Sequence, residues 1–484
     1  MILSSHIDAA QLQGKLFAKT IKTKLSKNEE YIIEYNSNRE APNIGSDGLP
    51  TLNFASFVNT NSKPHAEKLI NSNIVKNLAD NDEYPSLIEC QQRCINIFAN
   101  LWNAPVSEDT SAIGTATTGS SKAIMLAGLA MKKTWQEKRN KTGKSNENPN
   151  ILMASVAQVA LEKFAQIKKN IDENTIGILF IMGSTFTGAP EPVEQISNLL
   201  DEVQKETGFD IPIHVDGASG GFVAPFFYPH LKWDFSVPRV VSINTSGHKF
   251  GLTTAGLGWV IWREAKYLPE SLRFTLDYLG GVEETFGLNF SRPGFPVLHK
   301  YYNFLTFGKE GYTKKFVSCL SNARFLSQFL ETAEYYEVLS SERTKLYTRN
   351  HDPNVSHKKK NLDSENYMPG LPVVAFRFSK KFRNRQYVVP KYHLTSDEQE
   401  KKILRVVVKD NLSLALSHDA VLTALDARKG ATELERRDIV YKLLRNIASN
   451  GVKDVKEEQR KTMDKPRNGY HKHKKSYRGA CLIY

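Results

Sequence analysis

Apolar and polar residues change period along the chain, and these changes predict its elements. Between residues 110 and 263, short apolar runs alternate with stretches whose apolar residues recur every three or four positions. This alternation is typical of parallel α/β units, in which helices connect the strands. The predicted strands are 151–154, 176–182, 211–215, 240–243 and 256–262, and the predicted helices are 121–135, 156–165 and 192–207.

A different pattern after residue 293 predicts a second, smaller α+β part. Its predicted elements are a mostly helical stretch over 297–330, strands over 371–378 and 403–408, and helices over 413–427 and 433–449. Helical spacing also covers 66–102, whereas the first sixty residues are polar and mixed. We therefore predict an N-terminal arm (1–60), a large domain with a mostly parallel sheet (61–295), a small C-terminal domain (296–452) and a flexible tail (453–484).

Composition and charge narrow the class of protein. The 484 residues are 40% hydrophobic and 24% charged, which excludes a mostly disordered, collagen-like or coiled-coil chain. Of the net charge of +13, the tail from Lys453 to Tyr484 carries +6, with ten basic and four acidic side chains. Nucleic-acid binding is one interpretation of such a tail, and a solvated charge run is the more ordinary one. We predict no nucleic-acid partner.

Cysteine usage and the apolar runs favour a cytoplasmic chain. The four cysteines are too few and too scattered for a disulfide framework, and none belongs to a zinc-binding pattern, so we predict reduced thiols and no metal. No secretory signal is recognisable at the N-terminus. The longest apolar run, 176–182, is too short to span a bilayer.

The first chemical signal is a serine pair at the start of an apolar helix. Gly119, Ser120 and Ser121 precede a stretch rich in Ala and Leu. Small residues at a helix N-terminus leave N–H groups open to an anion such as phosphate, although an ordinary serine cap has the same sequence. A Walker A loop is excluded, because serines stand where it requires Lys and Ser/Thr.

The second and third signals are an aspartate and a lysine, each following a predicted strand. Asp216 directly follows the predicted strand 211–215 and is itself followed by five small residues, which leave room for a large flat ligand. Lys249, 33 residues later, lies in a glycine-flanked loop where partial desolvation would make it nucleophilic. A metal carboxylate and a surface lysine are the alternatives. Together with the phosphate cradle, the two residues are what pyridoxal phosphate requires.

Nine motifs in order across roughly residues 52–408 resemble the group II pyridoxal-phosphate decarboxylases, and among these the branch that acts on glutamate. The motifs are TATTGSSKA at Thr115, AQVALEKFA at Ala157, GSTFTGAPEPV at Gly183, HVDGASGGFVAPF at His214, SINTSGHKFGL at Ser242, GLGWVIWR at Gly256, YLGG at Tyr278, LNFSRPG at Leu288 and LRVVV at Leu404. The resemblance implies a fold-type-I α/β architecture, pyridoxal 5′-phosphate as cofactor, and conversion of L-glutamate to 4-aminobutanoate and carbon dioxide with uptake of a proton.

The resemblance also implies roles for residues around the cofactor. Lys249 would hold it as a Schiff base, and Asp216 would pair with the ring nitrogen. The other implied contacts are Ala218 beneath the ring, Gln158 stacked above it, Thr185 beside it, and Ser120, Ser121, Ser246 and His248 around the phosphate. Ser291 would reach the phosphate of a neighbouring subunit, which implies at least a homodimer with shared active sites.

Substrate contacts are implied in the same way. Arg405 resembles the arginine that binds the substrate carboxylate, and its alternative is a surface ion pair. Ser56, Phe57, Asn77 and Asp80 resemble the pocket for the distal carboxylate, on a less specific stretch. Tyr278, in a predicted lid, would return a proton to the α-carbon, or else only packs.

Two departures from the family pattern leave alternatives open. The connection from Ala165 to Asp172 and that from Phe382 to Val388 are shorter than the family's, and Lys122 replaces a usual glutamate. Either the packing has adapted or the chain lacks segments needed to fold. An inactive relative that only binds partners, and a pyridoxal-phosphate lyase for another substrate, are the alternative functions. Calmodulin binding by the tail is known among relatives, but Pro466 and Gly469 argue here against an amphipathic helix.

Overall fold

A computed structural model describes residues 56–59, 61–107, 110–153, 167–276, 283–332, 336–340, 367–378, 392–393 and 402–410 of the chain. The described helices are α1 (Pro64–Ser72), α2 (Pro85–Leu101), α3 (Ser120–Lys141), α4 (Val193–Thr207), α5 (Gly220–Phe227) and α6 (Phe295–Thr332). The described strands are β1 (Ile113–Thr117), β2 (Asn150–Met153), β3 (Thr175–Ile181), β4 (Ile213–Asp216), β5 (Val240–Ser246), β6 (Gly258–Trp262), β7 (Phe274–Leu276), β8 (Glu283–Thr285), β9 (Tyr336–Val338), β10 (Val373–Phe378), β11 (Tyr392–His393) and β12 (Lys402–Val407).

A six-stranded sheet in the order β1-β6-β5-β4-β3-β2 forms the centre of the fold. Strands β2 to β5 pair in parallel, and β6 pairs antiparallel with both of its neighbours, β5 and β1. Every residue of β5 and β6 is buried, as expected for strands covered on both faces by helices. The sequence prediction of a mostly parallel α/β sheet is confirmed, and β1 is an additional strand that the pattern missed.

Helices α2, α3 and α5 pack against strands of the central sheet. Helix α3 buries a line of small and apolar residues that includes Ala123, Leu126 and Ala130. Trp102, just past α2, is fully buried and its indole N–H donates to the carbonyl of Gly221 in α5, at 3.0 Å. This bond ties α2 to the segment that follows β4.

A second sheet, in the order β11-β12-β10-β9, is antiparallel throughout its described pairs. It meets the large sheet's loops through Leu371, whose N–H donates to the carbonyl of Gly188 at 2.9 Å. A Cβ atom on Gly183 would come within 2.6 Å of the Leu371 side chain, so glycine is required for this approach. The contact places β12 beside the loop that follows β3.

Two helical predictions need refinement. Residues 66–102 do not form one helix, because the chain leaves α1 after Ser72 and begins α2 only at Pro85. Helix α6 extends over the predicted 297–330 stretch, but it kinks at Gly308, whose φ of 53° is outside the helical region. Among the described helices, we find none with the length and apolar character that a membrane crossing needs.

Candidate active site

Lys249 lies in the turn that follows β5 and is largely screened from solvent. Its Nζ donates to the hydroxyl of Ser219 at 3.3 Å and lies 5.4 Å from the centre of the Phe57 ring. Burial lowers the pKa of Lys249; the negative charge of Asp216 opposes this shift, and the positive charge of Arg405 adds to it. A lysine with a lowered pKa has a larger unprotonated fraction near neutral pH, which makes it a better nucleophile.

Asp216 ends β4 and is the last acceptor in a chain of four polar side chains. Its Oδ1 accepts from the Asn244 side-chain amide at 2.8 Å and from the backbone N–H of Ala218 at 2.9 Å. Asn244 Oδ1 lies 2.8 Å from His214 Nε2, and His214 Nδ1 lies 2.8 Å from the Ser242 hydroxyl. Ser242, His214 and Asn244 are each at most 1% exposed.

The donors in this chain can be assigned from its chemistry. An ionised carboxylate only accepts, so the Asn244 NH₂ group must face Asp216 and its oxygen must face His214. His214 therefore carries its proton on Nε2 and accepts at Nδ1 from Ser242. Burial lowers the pKa of His214, despite the opposing charge of Asp216, and so favours this neutral form. Every donor in the chain points towards Asp216.

Strand register explains why these four residues meet. His214 and Asp216 are two positions apart on β4, so they lie on one face of the sheet. In the parallel pairing with β5, His214 is opposite Ser242 and Asp216 is opposite Asn244. The sequence analysis chose Asp216 and did not identify the other three. Their only signal was alternate spacing beside a carboxylate, which becomes meaningful once the register is known.

Two of the serines predicted to bind an anion lie together, and we call this pair, Ser120 and Ser246, the serine cradle. Ser120, the first residue of α3, lies with its Oγ 2.8 Å from the Oγ of Ser246 at the end of β5. The first turn of α3 contains no acidic residue, and its N-cap makes no side-chain hydrogen bond. A Cβ atom on Gly258 would come within 2.3 Å of the Gly119 carbonyl carbon, so glycine lets β6 reach this turn. Ser121 follows in the same turn and is exposed.

His248 lies beside this cradle. Its Nδ1 is 3.0 Å from the carbonyl of Leu257, which fixes a proton on Nδ1 because a carbonyl only accepts. Burial lowers the pKa of His248 and the neighbouring Lys249 charge lowers it further, whereas the bond to Leu257 opposes the shift. The ring is therefore held neutral with Nε2 as its acceptor nitrogen.

Phe57 and Arg405 lie together near Lys249. The Arg405 guanidinium carbon lies 4.9 Å from the centre of the Phe57 ring, which also has the Lys249 amine nearby, at 5.4 Å. Arg405 Nη1 donates to the carbonyl of Thr185 at 2.6 Å. Three predicted residues from distant parts of the chain, Phe57, Thr185 and Arg405, thus lie together.

Hydrogen bonds to its backbone hold the segment 56–59 beside the Lys249 turn. Asn59 N–H donates to the carbonyl of His248 at 2.6 Å, and the Ser56 hydroxyl accepts from Val58 N–H at 3.1 Å. Lys409, only 6% exposed, donates from Nζ to the Val58 carbonyl at 3.1 Å, and burial lowers its pKa to about 8. The sequence analysis missed Lys409, as it missed Ser219 beside Lys249.

Asn77, Asp80 and Ser291 form a separate group. Asn77 donates to the Ser291 hydroxyl at 3.3 Å and accepts from the Arg292 backbone, and Asp80 accepts from Glu83 N–H. Among the contacts described, none joins this group to Lys249 or to the Ser120–Ser246 pair. Gln158 and Tyr278 lie outside the described residues, as do the predicted arm up to Ala55, the predicted helices over 156–165, 413–427 and 433–449, the tail, residues 165–166 at the start of the connection to Asp172, and the whole connection from Phe382 to Val388.

The donors fit a flat cofactor with an anionic phosphate and a basic ring nitrogen. Hydroxyls, an uncapped helix N-terminus and a neutral histidine suit the phosphate. The Asp216 carboxylate, which accepts hydrogen bonds from two donors, suits a protonated ring nitrogen. A desolvated lysine between the two can bind a carbonyl carbon covalently. These are the contacts that the sequence analysis assigned to pyridoxal phosphate.

Comparison with known proteins agrees with this interpretation. Residues 50–171 and 167–348 match the pyridoxal-dependent decarboxylase conserved domain. The chain is 45% identical to a glutamate decarboxylase of Saccharomyces cerevisiae over 443 residues, which cover 78% of this chain and 75% of that relative. It is 41% identical to glutamate decarboxylase 1 of Arabidopsis thaliana over 430 residues, which cover 82% and 80%.

The fold is similar to those of solved structures. The glutamate decarboxylase of Lactobacillus brevis superposes with a TM-score of 0.67 at 31% identity, covering 83% of this chain and 97% of that structure. A sphingosine-1-phosphate lyase of Burkholderia pseudomallei, at 19% identity and a TM-score of 0.54, shares the fold.

Proposed function

The chain belongs to the pyridoxal-dependent decarboxylase family, and from this premise we propose that it is a glutamate decarboxylase. It converts L-glutamate to 4-aminobutanoate and carbon dioxide with pyridoxal 5′-phosphate as cofactor. The identity with relatives that carry this activity in their names supports the substrate. The observation that carries the proposal is the meeting of Lys249, Asp216 and Arg405 around one site, with Phe57 between the two cations.

The bound cofactor supplies an electron sink for the electrons released when the α-carboxylate leaves. We propose that Lys249 holds it covalently, aided by the lowered pKa of its amine. Asp216 pairs with the ring nitrogen, and the donors from Asn244 and Ala218 hold its carboxylate in place. Ser120, Ser121, Ser246 and His248 bind the phosphate, and Thr185, Ala218 and Gln158 flank the ring.

Arg405 orients the substrate in this proposal. Its planar guanidinium suits a carboxylate, and the Thr185 carbonyl fixes its direction through Nη1. Phe57 lies beside Arg405, and Ser56 precedes it in the same segment, which supports a role for both near the distal carboxylate. Asn77 and Asp80, which lie in the group with Ser291, are proposed to belong to the same carboxylate pocket. Tyr278 delivers the proton to the α-carbon, and each turnover consumes one proton.

We also propose a homodimer in the cytoplasm. Ser291 is exposed and bonds to Asn77, and none of its described contacts is with the Ser120–Ser246 pair of its own chain. This placement supports a role at the phosphate of a second subunit. Cys90, Cys94 and Cys319 are unpaired thiols, which suits a reducing compartment.

The test is formation of 4-aminobutanoate from L-glutamate by the purified full chain with added pyridoxal phosphate. Because Lys249 is the nucleophile, we expect Lys249→Ala to lower kcat by at least about 10⁴-fold. Sedimentation of the same preparation gives its oligomeric state. A soluble protein that binds the cofactor and yields no product would contradict the assigned substrate.

A further inference from the structure

Lys300, near the start of α6, is a fully buried lysine outside the site described above. Its Nζ lies 3.7 Å from the centre of the Phe222 ring, 4.0 Å from Phe304, 4.8 Å from Tyr312 and 5.9 Å from Phe98. Within the described part of the chain no carboxylate pairs with it. A lysine is rarely buried without such a pair, so its position requires an explanation.

Two polar contacts show what this lysine holds. Its Nζ donates to the backbone carbonyl of Gly251 at 3.1 Å and to the Tyr312 hydroxyl at 2.8 Å. The Tyr312 hydroxyl itself lies 3.4 Å from the same carbonyl. Gly251 is two residues after Lys249, so both side chains of α6 bond to the turn that carries the proposed nucleophile.

Two more side chains of α6 bond to the residues that follow. Asn303 donates from Nδ2 to the Leu252 carbonyl at 2.8 Å, and His299 Nδ1 accepts from the Thr254 backbone N–H at 3.3 Å. Both side chains are at most 3% exposed. We call His299, Lys300, Asn303 and Tyr312 the α6 clamp.

The turn held by the clamp has an unfavourable backbone. Leu252 has a φ of 64°, a conformation that a branched residue rarely adopts without support. We call the rings around Lys300 Nζ, those of Phe98, Phe222, Phe304 and Tyr312, the aromatic box. A Cβ atom on Gly251 would lie 2.7 Å from the Phe222 ring, so the turn packs closely against this box. The clamp supplies the support, because Lys300 bonds to the Gly251 carbonyl just before Leu252 and Asn303 bonds to the carbonyl of Leu252 itself.

Phe222 connects the clamp to the other half of the site. It belongs to α5, which begins four residues after Asp216, and it is fully buried. Lys300 therefore contacts the Phe222 ring on the segment that follows Asp216 and the Gly251 carbonyl on the segment that follows Lys249. The two segments are fixed to each other through one side chain.

We propose that Lys300 is a positioning residue that fixes the Lys249 turn against α5, and so sets where the Lys249 amine meets the cofactor's carbonyl carbon. This inference rests on the proposed function. Lys300 touches neither cofactor nor substrate in this role. It acts through the direction of the turn, while Asn303 and Tyr312 act in the same sense on neighbouring atoms.

Lys300→Met is the principal test, because methionine keeps the length and apolar contacts and removes the N–H donors. Apoenzyme is mixed with pyridoxal phosphate, the covalent link to Lys249 is followed by absorbance, and the modified residue is located by borohydride reduction and peptide mapping. We expect attachment to slow by at least about tenfold, as for other small misplacements of a reacting group. We expect no fall in the apoenzyme's melting temperature, because the desolvated amine is gone.

Lys314→Met is the matched control on the same helix, because the Lys314 side chain is 75% exposed and pairs with Glu310 in the turn before it. It should attach cofactor at the wild-type rate. Asn303→Ala provides a second arm that leaves the aromatic box intact, and it decides the question if Lys300→Met is insoluble. We expect Asn303→Ala to slow attachment of the cofactor as well.

Attachment at the wild-type rate in Lys300→Met, or in Asn303→Ala when only that variant is soluble, would overturn the inference and leave the proposed function intact. An equal slowing in Lys314→Met would also overturn it. Failure of the wild-type chain itself to attach cofactor at Lys249 would instead overturn the proposed function, and the inference with it.

Discussion

The two sides of the site are built differently. On the cofactor side, Asp216 and Asn244 lie opposite each other on paired strands, and their partners His214 and Ser242 lie two residues earlier in the same register. On the substrate side, Phe57, Thr185 and Arg405 come from a loop, another loop and a strand of the second sheet. Backbone pairing fixes the first group, whereas a few bonds to single carbonyls hold the second. The proposed cofactor contacts are therefore built into the large sheet, and the proposed substrate contacts depend on how three separate segments meet.

Asn244→Leu is expected to have the largest effect that distinguishes the two sides. It removes the amide donor to Asp216 and leaves the His214 Nε2–H without its acceptor, at a cost of about 1–3 kcal/mol of folding free energy. We expect cofactor affinity to fall by about 10- to 100-fold, since the carboxylate loses a charge-assisted hydrogen bond. Absorbance titration of the apoenzyme with pyridoxal phosphate measures the affinity.

Ser242→Ala serves as the graded comparison for that experiment. Ser242 is at the far end of the same donor chain. We therefore expect Ser242→Ala to lower the affinity for pyridoxal phosphate as well, but by a smaller factor than Asn244→Leu. Wild-type affinity in Asn244→Leu would show that Asp216 does not depend on its strand neighbour.

Arg405→Lys tests the substrate side. Lysine keeps the positive charge but cannot offer two parallel donors to a carboxylate. We expect kcat/KM for L-glutamate to fall by about 10- to 100-fold, the equivalent of one hydrogen bond to a charged group. Cofactor affinity should not change. A loss of cofactor binding in this variant would contradict the division of the site into two sides.

Lys409→Met should have the smallest effect on catalysis. Losing its bond to Val58 loosens the segment 56–59, and we expect KM for L-glutamate to rise by about threefold, within the range of about 0.5–1.5 kcal/mol for one net hydrogen bond. Steady-state kinetics at pH 7 measures this change. An unaltered KM would show that the segment does not need this anchor.

The same variant has a defined pH dependence of stability. The pKa of Lys409 is about 8 in the fold and about 10.4 in an unfolded chain, so below pH 8 both states hold the proton and the charged amine is buried at full cost. From pH 8 upward the folded state releases its proton first, and the wild-type protein gains stability relative to the variant. Lys409→Met should therefore melt at a higher temperature than wild type at pH 7, with a difference that shrinks above pH 8.

Much of the site could be predicted from sequence because its residues follow strands. Asp216 and Lys249 each follow an apolar run, so the carboxyl edge of the sheet brings them together. The relation between Asn244 and Asp216 needed the cross-strand register, which a single sequence does not reveal. Contacts such as that of Lys409 with Val58 join residues far apart in the chain, and no local sequence pattern predicts them.

Strand β1 shows a second limit. Its residues Gly114, Thr115 and Ala116 are small or polar and look like a loop by hydrophobicity alone. They are nevertheless almost wholly inside, because β6 lies against them so closely that a Cβ atom on Gly114 would come within 2.6 Å of Ile261. The strand is thus defined by its neighbour and not by its own apolar content.

The antiparallel strand β6 also determines when during synthesis the site can form. It separates β1 from β5, so Thr117 pairs with Gly258 across roughly 140 residues of chain, a separation that slows folding. Until the ribosome has released the residues of β6, β1 has no partner in the sheet, and Ser120 cannot reach Ser246. A nascent chain shorter than about 260 residues therefore lacks the strand that brings Ser120 to Ser246, so in the proposed function cofactor binding follows closure of the large sheet.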